Sequence, residues 1–245
     1  MDMKIDMHTH TIASGHAYST IREMAKAAAE KGLEILGITE HAPGIPGTCN
    51  PFYFNNIRVI PREMYGVQLM IGAEINILDY DGTLSLDENL IDKVDLRIAG
   101  IHKLCYTPGS VKENTQATIA AIQHPKIDII SHPADGVAPL DYEEVVPAAK
   151  EFHTLLELNN NSLNPAYLRD NPQQRNIDLL NACKKYQVPI LVSSDAHVDT
   201  DVSRHEYTLP IITATNFPEE LIINNYPEKF RAFIQYNRQH ESIKQ

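Results

Sequence analysis

A chain of 245 residues, 43% hydrophobic and 22% charged, has the composition of a globular protein with a sizeable core. Its formal net charge of -11, with no Lys/Arg-rich run, argues against a broad nucleic-acid surface, although a local metal site would still attract phosphate. No apolar stretch is long enough to span a bilayer, no charged leader precedes a signal-like segment, and Cys49, Cys105 and Cys183 stand apart, so a cytoplasmic, disulfide-free protein with no membrane partner is expected.

The predicted elements alternate along the chain. KIDMHTH (4–10) reads as a strand, with Ile5 and Met7 on one face and Asp6, His8 and His10 on the other. IREMAKAAAEKG (21–32) is rich in helix formers and ends at Gly32. ILGITEH (35–41) is a second strand, and NNIRVIPREMYG (55–66) is irregular, with Pro61 restricting helix. Strands follow at QLMIGAEINI (68–77), DLRIAGIHK (95–103), IDIISHP (127–133), TLLELNNN (154–161) and VPILVSSDAH (188–197). Helices are expected at NTQATIAAIQH (114–124), DYEEVVPAAKEFH (141–153), NIDLLNACKKY (176–186) and RAFIQYNRQHE (231–241). This rhythm predicts a mostly parallel α/β sheet, open or closed. A barrel accounts better for polar residues at every strand end, since those ends meet at one mouth. With no linker or low-complexity block, residues 1–245 are expected to form one domain.

The polar strand ends are metal-ligand types. His8 and His10 end the first strand and His16 follows in its loop. His41 ends the second, Glu74 lies in GAEIN, and His102 follows DLRIAGI. His132 follows IDIIS, and Asp195 and His197 sit in SSDAH. Imidazole and carboxylate donors suit Zn, and also Fe or Mn. Any one of these histidines has a bland reading as a hydrogen-bonded core or turn residue; nine at strand ends do not share that reading easily. His124, His153 and His240 lie in or beside helices and His205 in a late loop, so none is assigned as a ligand.

HTH (8–10), TEH (39–41), GAE (72–74), GIH (100–102), SHP (131–133) and SSDAH (193–197) together resemble the PHP superfamily, the polymerase and histidinol phosphatase fold. SGHAYS (14–19) and the chain length resemble its small YcdX-type phosphatase branch. The resemblance implies a distorted seven-stranded (β/α)7 barrel, three divalent metals, most often zinc, and a homotrimer. It also implies a ligand division: His8, His10 and Asp195 on one metal, Glu74 bridging it to a second held by His102 and His132, and His16, His41 and His197 on a third.

The expected chemistry is hydrolysis of a small phosphate monoester by a metal-bound hydroxide, with Glu74 and Asp195 holding the catalytic metals. Ser193 and Ser194 are not assigned as nucleophiles. Arg58, Arg62, Lys103 and Asn160, with Asn161 beside it, are candidate substrate contacts, each with an equally good reading as a solvated charge or a turn residue. Other readings are a PHP-type phosphodiesterase or nuclease, an amidohydrolase, and a metal-containing interaction domain. No phosphate-binding GxxxxGK[ST] loop or dinucleotide GxGxxG fingerprint is present.

Overall fold

The computed structural model describes residues 1–241. Eight strands form one sheet: β1 (Ile5–Asp6), β2 (Ile35–His41), β3 (Glu63–Met64), β4 (Val67–Asn76), β5 (Arg97–Gly100), β6 (Ile129–Ile130), β7 (Leu155–Asn159) and β8 (Ile190–Ser193). Seven run in the order β1-β2-β4-β5-β6-β7-β8, every neighbouring pair parallel, while the short β3 pairs antiparallel with β4. The expected seven-stranded parallel architecture is therefore present. β3 lies in the segment read from sequence as irregular.

The crossovers carry α1 (Ile21–Glu30), α2 (Phe52–Asn56), α3 (Glu88–Ile91), α4 (Val111–Gln123), α5 (Tyr142–Glu151) and α6 (Pro172–Tyr186); α7 (Thr208–Ala214) and α8 (Pro227–His240) follow β8. Thr20 and Glu23 form a reciprocal capping box on α1, and Ser110 and Glu113 do so on α4, satisfying backbone donors that the first helical turn leaves open.

Alternation along β4 divides the interior into two layers. Leu69, Ile71, Ala73 and Ile75 face the helices, whereas Met70 joins Ile5, Met7, Ile35, Ile98, Leu155 and Leu191 inside the barrel. Phe230 and Ile234 of α8 close the floor of that inner layer. Below them, Asp128 accepts hydrogen bonds from Asn237 and from both terminal nitrogens of Arg238, holding α8 against the N-terminal strand ends. The inner apolar layer leaves only the C-terminal ends available for polar side chains.

β1 departs from the regular strand expected from its sequence. Ile5 and Met7 do face inward, but Asp6 does not share a face with His8 and His10; it turns outward to accept from Ser194 N, Ser194 Oγ and Ser203 N. Strict alternation would send His8 outward too. The chain instead bends after Met7 across Gly37, where an added Cβ would lie 2.5 Å from Met7 O. Thr9 Oγ1 donates to Gly37 O at 2.7 Å and fixes the crossing. Only a residue without a side chain at 37 permits this approach, which turns both histidines into the barrel.

The barrel is nearly closed. Between β8 and β1 the Asn224 side chain stands in for strand pairing: its Oδ1 accepts from Val192 N at 2.8 Å, and its Nδ2 donates to Ile5 O and Val192 O at 2.8 and 2.6 Å. Nearer the mouth, His10 N donates to Ala196 O at 2.8 Å. Replacing the fully buried Asn224 by Ala would strand three backbone groups, and a buried unmade hydrogen bond costs ~1–3 kcal/mol. Asn224→Ala should lower unfolding free energy by about 3 kcal/mol or more in urea titration, well beyond a typical surface substitution.

Candidate metal centre

The nine expected ligands meet at the C-terminal end of the barrel, around Glu74. Strand register sets Glu74 of β4 directly beside His41 of β2. Its Oε2 lies 2.8 Å from His41 Nδ1, 3.3 Å from His8 Nε2 and 3.5 Å from His10 Nε2. Its Oε1 lies 2.9 Å from His132 Nε2 and 3.2 Å from His102 Nε2. Five imidazoles thus face one fully buried carboxylate. Asp195 Oδ1 approaches His10 Nε2 at 3.3 Å and His8 Nε2 at 3.6 Å. His16 and His197 complete the outer side, their Nε2 atoms 3.2 Å apart.

Hydrogen bonds behind the rings fix which nitrogen points inward. His8 Nδ1 donates to Glu157 Oε1 at 2.8 Å. Ser14 Oγ donates to Glu40 Oε2 at 2.6 Å, so it accepts from His10 Nδ1 at 3.2 Å. His16 Nδ1 and His197 Nδ1 donate to Ser14 O and Asp195 O. In the neutral form of each of these four rings the remaining Nε2 carries the lone pair and faces the centre. His8 Nε2 and His10 Nε2 stand 3.0 Å apart, a placement that neutral rings favour only with a cation or proton between them. This is the outer support that metal-binding histidines need.

Two further observations bear on whether these residues fit metals. His41 Nδ1 and Glu74 Oε2 are buried and close, yet neither makes a hydrogen bond among the described residues; His102 Nδ1 is likewise unpartnered. Among the described residues three groups, their donor atoms within 4.8 Å of one another, are suited to a metal: His8, His10 and Glu74; His41, Glu74 and His102; His10, His41 and His197. The imidazole and carboxylate donors fit Zn and accept Fe or Mn. His10 and His41 each belong to two groups, so the geometry accommodates more ligand divisions than the one implied by family resemblance.

Electrostatics reinforce this picture. Burial favours protonation of Glu74, but His8, His102 and His41 outweigh it and hold the carboxyl well below its usual range. Asp195 is likewise held down, against burial, by His8, His10 and His197. Burial and the neighbouring His41 and His197 hold His10 well below the ordinary imidazole value, keeping the ring unprotonated at neutral pH, the form that can bind a metal. For His8, burial pulls downward, but Glu157, Glu74 and Asp195 outweigh it and raise the pKa well above that value. His132 and Asp195 both adopt left-handed backbone, with φ of 32° and 54°, which non-glycine residues rarely hold without surrounding constraint.

The centre forms the floor of a cavity of about 750 Å³. Lys103 and Asn161 border it, as do Asp135 and Arg169, which pair with each other. Asn160 is buried, and its Oδ1 accepts from Tyr207 N and Thr208 N at the start of α7. Arg58 and Arg62 do not border the cavity. Arg62 donates to Ile57 O and Ile60 O and pairs with Asp95 just before β5, near the opposite end of the barrel; Arg58 is exposed on a short 3-10 turn. Ser194 Oγ donates to Asp6, a structural use of that hydroxyl.

Sequence reasoning passed over Glu157, Glu40, Ser14, Asp135 and Arg169. Glu157 had a readable signal: an acid inside the otherwise apolar TLLEL is buried only when paired. It accepts from His8 Nδ1 through Oε1 and from His132 N through Oε2, and these partners hold its pKa down against burial. Arg169 had no such signal, because its position depends on loop packing.

Glu157→Gln keeps the shape and removes the anion behind His8. Metal affinity should fall by about 10–100-fold, read by equilibrium dialysis at limiting metal. In metal-free protein the His8–Glu157 pair has opposite titration limits. The lowered Glu157 pKa gives stability that is complete above the ordinary carboxylate range and lost as pH falls; the raised His8 pKa gives stability complete below the ordinary imidazole value and lost as pH rises. The stability gap between wild type and Glu157→Gln should therefore be widest between about pH 4.5 and 6.5.

Comparison with known proteins agrees with this geometry. A family model for the PHP domain matches residues 6–237. A probable phosphatase of Caldicellulosiruptor saccharolyticus is 42% identical over 234 residues, covering 96% of this chain and 97% of that one. One from Acetivibrio thermocellus is 39% identical over 239 residues, covering 98% of each. Among solved structures, histidinol phosphate phosphatase of Lactococcus lactis, complexed with zinc, L-histidinol and phosphate, aligns with a TM-score of 0.61 at 20% identity, over 88% of this chain and 95% of that one. A chain of an archaeal ribonuclease P bound to mature tRNA aligns at 0.56 and 17% identity, over 96% and 92%. At those identities the structural likeness establishes the fold alone. The family match and the relatives, each spanning nearly the full length, establish the kinship: the chain belongs to the PHP domain family.

Proposed function

We propose that the protein is a metal-dependent phosphatase acting on small phosphate monoesters, with three divalent ions, zinc first among them, held by His8, His10, His16, His41, Glu74, His102, His132, Asp195 and His197. The observation that carries this reading is the convergence of five imidazoles on the buried Glu74 at the floor of an open cavity. The probable phosphatases among its relatives, and the zinc and phosphate in the Lactococcus lactis structure, support the same chemistry. Bound metals supply an activated water and neutralise charge on the phosphoryl oxygens.

The chain's own residues then have distinct tasks. Glu74, with two oxygens directed at different imidazoles, would hold metal through its carboxylate at the middle of the cluster. Asp195 offers a second carboxylate on the His8 and His10 side. Glu157 and Ser14 hold those rings in the tautomer that leaves Nε2 inward. Lys103 and Asn161 border the space a substrate would occupy. A net charge of -11, with Lys103 and Arg169 the lysine and arginine bordering the cavity, weighs against nucleic acid as substrate.

Purified protein should release inorganic phosphate from small monoesters, lose that activity on chelation and regain it with the native metal. Elemental analysis should approach three ions per chain; an active enzyme saturated by one would exclude the trinuclear centre. Glu74→Gln should lose metal and more than about tenfold in turnover, measured on the same sample. Diester cleavage without monoester hydrolysis would reject the phosphatase reading in favour of a phosphodiesterase.

A further inference from the structure

The walls of the cavity differ from its floor. Tyr18, Leu104, Tyr167 and Leu168 border the mouth and are 80%, 71%, 52% and 104% exposed. They come from three loops, after β1, β5 and β7, so the apolar rim is not one wayward segment. Exposed aromatic and aliphatic side chains cost solvation, and their grouping around a polar opening marks a surface that meets a ligand. A phosphoryl group would occupy only a small part of a cavity of about 750 Å³, leaving room for the alcohol portion of an ester.

The charges at the mouth limit what that alcohol carries. Among the carboxylates bordering the cavity, Glu74 and Asp195 face the metal-ligand imidazoles, and Asp135 is paired with Arg169. Asp135 Oδ1 also accepts from Val137 N at 2.8 Å. Lys103 is exposed at the rim and has no ion-pair partner among the described residues. Among the described residues no carboxylate at the mouth is thus left to receive an ammonium group, and Lys103 stands where one would approach.

Building on the phosphatase reading, we propose that the preferred substrate is a phosphate monoester whose alcohol bears a flat apolar group and no ammonium. Lys103 acts as a specificity determinant by repelling amino alcohol phosphates, while Leu104, Tyr167, Leu168 and Tyr18 receive the apolar portion. This selectivity is opposite in sign to that suited to L-histidinol, the amino alcohol bound in the Lactococcus lactis structure. The common fold leaves room for such a difference, because the rim lies on loops and the ligands lie at strand ends.

Three alkyl esters with similar leaving groups separate the contributions: 3-phenylpropyl phosphate, its 2-amino derivative phenylalaninol phosphate, and glycerol 1-phosphate. Metal-loaded wild type should show a kcat/KM for 3-phenylpropyl phosphate about tenfold or more above each of the others, the scale that small apolar or charge differences supply in a binding pocket. Lys103→Glu should shrink or reverse the penalty on the amino ester, whereas Lys103→Gln should shrink it without reversal. Leu168→Asp should reduce the preference for 3-phenylpropyl over glycerol phosphate. Equal or faster turnover of phenylalaninol phosphate by wild type, or an unaltered amine penalty in Lys103→Glu, overturns the proposal. If wild type hydrolyses glycerol phosphate but shows no phenyl preference, the specificity inference fails while the phosphatase reading stands. If metal-loaded protein hydrolyses none of the three, both fail.

Discussion

A carboxylate with five imidazoles around it cannot be assembled from one stretch of chain, and the barrel is the means by which Glu74 acquires its neighbours. His8 and His10 follow β1, His41 ends β2, and His102 and His132 follow β5 and β6. In a flat sheet β1 and β6 would stand four strand spacings apart, about 19 Å. The rings of His8 and His132 are instead 6.0 Å apart. Curvature and near-closure produce that difference, so the chemistry at the mouth depends on whatever keeps β8 and β1 together. The Asn224 side chain supplies part of that link, with the hydrogen bond from His10 N to Ala196 O nearer the mouth.

The polar centre is also costly for the apoprotein. Bringing Glu74, Asp195 and Glu157 out of water disfavours their ionised forms, and the facing imidazoles outweigh that cost. His8 shows the compromise: without a metal, its acidic neighbours favour a second proton on the ring. A cation placed against Nε2 would substitute for that proton while Nδ1 continues to donate to Glu157. The hydrogen bond from Nδ1 to Glu157 suits both the protonated ring and a ring that would offer Nε2 to a metal, so Glu157 orients His8 in either condition.

How much of this was legible in the sequence follows from which interactions are local. Parallel strands with helical crossovers were readable because apolar runs and amphipathic runs alternate, and because histidines sit where those apolar runs stop. The inward turn of β1 was not. Period-two reading placed Asp6 with His8 and His10, whereas the bend over Gly37 separates them, and that bend depends on a neighbouring strand. Arg58 and Arg62 drew notice as guanidinium groups, yet Arg62 is occupied by Asp95 and two carbonyls away from the cavity. Arg169 reaches the cavity through its pairing with Asp135, a relation between two loops that no spacing encodes.

This division between local and nonlocal information has a consequence for function within the family. The donor set is written at strand ends, where register and closure restrict each position, so it can persist while the rest of the sequence diverges. The rim is carried by loops after β1, β5 and β7, whose tips are exposed and little restrained by packing. Substitution at Lys103 or Leu168 leaves the Glu74 cluster's hydrogen bonds untouched, because neither residue takes part in them. Reaction type and substrate choice are therefore separable in this fold, and a resemblance resting on HTH, TEH and SHP bears on the first far more than on the second.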